Sequence, residues 1–108
     1  MKSNMALLKK PFGTAKMLAI AHVRYLAWED AFDVDFEDGL SFLEAHATVR
    51  AANHISAKAV PVKVIVEPDT HLGFDIRYDT GEIAGISWAF VRELPPVSAG
   101  VSRKSVGA

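Results

Sequence analysis

The chain has 108 residues, 50% hydrophobic and 23% charged, with no cysteine and a formal net charge of −1. A chain this short buries one core rather than two, and without cysteine it has neither a disulfide framework nor a thiolate site. The small net charge means no strong overall field, which argues against nucleic acid as a partner.

The charge is unevenly placed. Residues 1–16 carry Lys2, Lys9, Lys10 and Lys16 and no acid, residues 95–108 carry Arg103 and Lys104 and no acid, and all 13 acids fall between. Basic arms on an acidic body leave a nucleic-acid or acidic-ligand binder open as an alternative, although such an arrangement serves solubility equally well. The apolar run Met17–Ala21 is five residues long. A signal-peptide core needs roughly 7–15 apolar residues and a membrane helix about 20. The expectation is a cytoplasmic protein without membrane contact, with residues 1–15 as a basic flexible arm, 16–94 as one globular domain and 95–108 as a flexible tail.

Residues 17–28 carry Ile20, Val23, Tyr25, Leu26 and Trp28, a run compatible with a helix or a strand. The Glu29-Asp30 break and the alternating run 31–37 behind it favour a hairpin. Phe32, Val34 and Phe36 should face the core, and Asp33, Asp35 and Glu37 should face water. After Asp38-Gly39, Ser41-Phe42-Leu43-Glu44 reads as a capping box. With Leu43, Ala47, Ala51 and Ile55 spaced by four, it predicts a helix over 42–57. Residues 60–66 form a strand that starts at Pro61, and Glu67-Pro68-Asp69-Thr70-His71 is a turn. The strand 73–79 follows, then 82–88, with 89–94 as a short helix or an extension of that strand.

One stretch occurs nearly twice. Phe32, Asp33 and Gly39 recur as Phe74, Asp75 and Gly81, and Ala47, Val49 and Arg50 recur as Ala89, Val91 and Arg92. The predicted helix follows the first glycine and a strand follows the second, so the simpler reading is two unrelated strand–turn units of similar chemistry. The expected architecture is α+β, ββαβββ, an antiparallel sheet of about five strands with one main helix. The alternative is all-β, as two small repeated meanders or an SH3-like barrel.

No chemical motif stands out. Asp33-x-Asp35-x-Glu37 with Glu44 at the twelfth place imitates a calcium loop, but Asp38 stands where such a loop needs glycine. His22, His46, His54 and His71 have no zinc-site spacing. Asp75 and Asp79 share the solvent face of one strand. No nucleophile elbow, phosphate loop or dinucleotide fingerprint is present. No catalytic residue, cofactor or metal site is therefore expected. Trp28, Tyr78 and Trp88 are the possible ligand-binding residues, because exposed aromatics near acids suit a cationic ligand.

Ile76-x-Tyr78-Asp79-x-Gly81-Glu82, followed by Val91-Arg92-Glu93-Leu94, resembles the closing half of Tudor-type and related SH3-like barrels. That resemblance covers some 20 residues and implies recognition of methylated or basic peptides in an aromatic cage, with Tyr78 and Trp88 at the matching positions. The phrase Phe36-Glu37-Asp38-Gly39-Leu40 is equally similar to small bacterial domains of unknown function. The expected function is a non-enzymatic binding or protein-interaction module; a small enzyme with an unrecognised site is a further alternative. Strands 60–66 and 82–91 are apolar on both faces, which predicts a homodimer through part of 82–91.

Overall fold

The computed structural model describes residues 18–97; the basic arm and residues 98–108 of the tail lie outside this range. Among the described residues, six strands and two helices follow in the order βββαβββα. The strands are β1 (Ile20–Leu26), β2 (Ala31–Phe36), β3 (Ser41–Ala45), β4 (Pro61–Val66), β5 (Gly73–Tyr78) and β6 (Ile83–Ser87), and the helices are α1 (His46–Asn53) and α2 (Trp88–Arg92). The strands form two antiparallel three-stranded sheets, β1-β2-β3 and β4-β5-β6. The class is α+β, but in place of a single five-stranded sheet two small repeated meanders form, as in the alternative, and only its all-β class is excluded by the helices.

The chain is a structural repeat. β2 and β5 begin 42 positions apart, at Ala31 and Gly73, and β3 and β6, and α1 and α2, begin at the same offset. The turns repeat as well. Gly39 N–H donates to Phe36 O and Gly81 N–H to Tyr78 O, while Phe36 N–H donates to Leu40 O and Tyr78 N–H to Glu82 O. Each is a three-residue hairpin loop ending in a glycine at positive φ, 91° at Gly39 and 93° at Gly81. That left-handed position is where glycine has no steric penalty. Each helix starts alike, with His46 N–H on Asp30 O and Trp88 N–H on Leu72 O.

Reading 42–57 as one helix was therefore an error. Ser41 to Ala45 is a strand paired to β2, and the helix begins at His46. The capping-box pattern misled because Ser41 Oγ donates to Asp35 Oδ1 across the strand pair, at 2.6 Å, instead of capping. The residue before α1 is Ala45, which has no side-chain cap. Its counterpart Ser87 does cap α2, accepting from Phe90 N–H.

The two repeats share one core. Phe32, Val34, Phe36 and Phe42 join Phe74, Ile76, Tyr78, Ala84 and Ile86, with Val49 and Val91 contributed by equivalent positions of the two helices. Phe32 and Phe74, themselves equivalent, meet with ring centroids 6.2 Å apart. Phe32, Val34 and Phe36, expected to face the core, do so. Asp33 does not face water as expected: it is 1% exposed, with Arg24 Nη2 at 2.8 Å on its carboxylate. Arg24 is its cross-strand neighbour in the β1–β2 register, so the long arginine covers the acid it pairs.

Candidate functional site

β3 alternates inward and outward, and its inward residues are Phe42 and Glu44. In the second repeat the same places hold Ala84 and Ile86, both buried. Glu44 is thus an acid at a position the fold treats as core. It is 1% exposed, and its Oε1 has no hydrogen-bond partner among the described residues. A buried carboxylate without partners is unfavourable when ionised. Burial, with a smaller contribution from the negative charge of Glu93, pushes the Glu44 carboxyl up to about 7.

Glu44 lines a cavity of about 430 Å³ between β3, α1 and the segment leaving α2. Leu43, Ala45, Thr48, Phe90, Glu93 and Leu94 complete its wall. The volume lies within the usual range for small-ligand sites, roughly 300–1,000 Å³, and the mix of apolar walls with a few polar groups is also usual. The segment beyond α2 is held by Val97 N–H, which donates to Ser41 O at 2.8 Å on the outer edge of β3. Val97, in the stretch read above as a tail, thus pairs with the sheet at that point. Among the described residues, two acids and no base stand on the cavity wall. Arg50 of α1 turns to Ala59 O, and Arg92 of α2 turns to Asp38.

A second polar cluster joins the repeats. His46, fully buried, has Nδ1 2.8 Å from Asp30 Oδ1 and Nε2 2.9 Å from the Tyr78 hydroxyl. Tyr25 also donates to Asp30 Oδ1, at 2.7 Å. The hydrogen bonds from Tyr25 and His46 hold the Asp30 carboxyl below its ordinary range. Burial and the Asp30 acceptor push Tyr25 up to about 12, and burial raises Tyr78. Neither phenol ionises near neutrality.

The three aromatic residues singled out in the sequence are placed differently from one another. Trp28 is 70% exposed at the β1–β2 turn. Trp88 is half-buried against the core at the start of α2. Tyr78 is 3% exposed and its ring stacks on His46, with centroids 5.7 Å apart. Among the described residues no ring contact joins any two of the three. Glu44 entered the sequence reading as a cap and as an imitation calcium ligand. Setting the two halves side by side beyond the glycine turn would have shown it opposite Ile86. Among the described residues no cluster of three or more metal-ligating groups occurs.

No family model matches the chain, and no curated protein matches it. Among solved structures, it is similar to a protein of unknown function of the DUF971 family from Acidithiobacillus ferrooxidans ATCC 23270. The identity is 19% and the TM-score 0.53, over 72% of this chain and 93% of that one. At that identity the likeness concerns the fold. No Tudor-type or SH3-like likeness emerges, and Val91-Arg92, read as part of a barrel ending, lies in α2.

Proposed function

We propose that the protein is a non-enzymatic binding module whose ligand enters the cavity beside Glu44. The observation that carries this reading is the buried Glu44 carboxyl with an unpartnered oxygen. Keeping such a group in a core position costs stability, and a ligand that donates to it removes that cost. The Asp30–His46–Tyr78 cluster serves as a brace, since its histidine is buried and its phenols hold their protons. A panel of small amines, amides and carboxylates, followed by amide NMR on the full chain, tests the reading. Binders should shift the amides of residues 43–48 and 90–94. Binders that map elsewhere, or none at all, would contradict it.

Self-association is a separate proposal with its own observation. Val60, Val62 and Ile83, all in the second repeat, are large, apolar and exposed, and burying such side chains against a second copy would remove them from water. A homodimer should appear in sedimentation equilibrium at micromolar concentration, and Ile83→Lys should convert it to monomer. A wild-type monomer under those conditions would reject it.

A further inference from the structure

The two repeats differ at their outer sheet edges. In an antiparallel ladder, residue pairs alternate between those that exchange hydrogen bonds and those whose peptide groups point away. Tyr78 and Glu82 are a bonded pair, so Gly85, opposite Asp75 in the register, points its N–H and C=O outward. Asn53 at the end of α1 closes that edge. Its Oδ1 accepts from Gly85 N–H at 3.1 Å and its Nδ2 donates to Gly85 O at 3.3 Å. A side-chain carboxamide thus stands in for a neighbouring strand.

The same count in the first repeat starts from the bonded pair Phe36 and Leu40. Leu43, opposite Asp33, then points its N–H and C=O outward. The position equivalent to Asn53 is Pro95, which has no carboxamide to offer. Among the described residues nothing hydrogen-bonds to the outward Leu43 peptide groups. Leu43 lines the same cavity as Glu44 and Glu93. Among the described residues, one wall therefore presents an open donor–acceptor pair of the kind Asn53 satisfies in the other repeat, beside a buried acid whose Oε1 lacks a partner.

We infer that the cavity takes an extended basic peptide, one residue pairing its N–H and C=O with Leu43 and the next residue, whose side chain lies on the other face of the strand, pairing its cation with Glu44. This rests on the binding-module reading above and adds the chemical class of the ligand. Main-chain pairing at a free edge supplies affinity, and the side chain supplies specificity. A cation against a buried carboxylate is also a charge-assisted hydrogen bond, stronger than a neutral one. The Glu44 carboxyl, held up by burial and by Glu93, ionises more readily once a cation is beside it.

Three probes separate the contributions, added to the full chain at about pH 8, where Glu44 is ionised. Nα-acetyl-alanyl-lysine-N-methylamide carries both the peptide groups and, on the neighbouring residue, the cation. Nα-acetyl-alanyl-norleucine-N-methylamide carries the peptide groups alone, and butylammonium the cation alone. The lysine probe should move the Leu43 and Thr48 amides and bind about tenfold more tightly than either partial probe. Glu44→Gln should bring it down to the norleucine level while leaving the fold intact. If butylammonium binds as tightly as the lysine probe, the peptide reading is wrong and the site is a simple cation pocket. If no probe binds while other fragments still map to the cavity, the ligand class is overturned and the binding-module reading stands.

Discussion

Asp33 and Asp75 occupy equivalent places in the two repeats, yet one is buried under Arg24 and the other is exposed. Removing the buried one should cost about 1–3 kcal/mol, because Arg24 loses its partner and a packed site is emptied. Asp75→Ala should cost under about 0.5 kcal/mol, and Phe74→Ala about 3–5 kcal/mol. Urea denaturation of the three variants checks the ranking. Glu44 has the opposite character. Its folded carboxyl lies near 7 against an ordinary value of 4.5, so the folded state binds the proton more tightly than the unfolded chain does. Its contribution to stability is most favourable below the unfolded value and declines as pH rises from there through about 7. Glu44→Gln should therefore raise stability at about pH 8 by about 1–2 kcal/mol, after discounting for water at the cavity mouth, and change little at about pH 4. An unchanged or lowered stability at the higher pH would contradict this. The alternation of residues 31–37 and 73–79 made the core residues legible in the sequence. The burial of Asp33 was not legible, because it depends on the cross-strand position of Arg24, which period-2 patterning does not report.

Local signals identified every strand of the second repeat and failed at β3 and α1. Ser41-x-x-Glu44 satisfies the capping-box pattern, and the alanines after it favour helix, so the expected cap at Ser41 stands four residues before the observed one at Ala45. Tertiary pairing won: Ser41 to Ala45 completes a sheet that β2 would otherwise leave open on that edge. The helix reading also conceals the repeat, since only with β3 in place do the two halves correspond. The difference is measurable. Ser41→Ala removes a cross-strand hydrogen bond, at about 0.5–1.5 kcal/mol, and should leave helix content unchanged by circular dichroism. Ala45→Ser or Ala45→Asp supplies the cap that α1 lacks and Ser87 gives α2, and should stabilise by about 0.5–1 kcal/mol. A loss of helix signal in Ser41→Ala would restore the capping reading.

Each half of the molecule is a three-stranded sheet with a short helix, and neither buries enough surface to stand alone. Their shared core, with Phe32 against Phe74 and His46 bonded across to Tyr78, makes one cooperative unit of two similar parts. Calorimetry should show a single transition, and residues 18–59 alone should be unfolded; two separable transitions would contradict this. The proposed function lies in what the duplication does not repeat: Glu44 where its twin has Ile86, and an unclosed Leu43 edge where its twin is closed by Asn53. The most direct measurement is a carbon-13 NMR titration of the Glu44 side-chain carboxyl in the intact protein. A midpoint near 7, moving downward in Glu93→Gln and again on adding the lysine probe, is the predicted result. A midpoint near 4.5, unmoved by either, would mean that the carboxyl is solvated and that the cavity holds no unsatisfied acid for a ligand to meet.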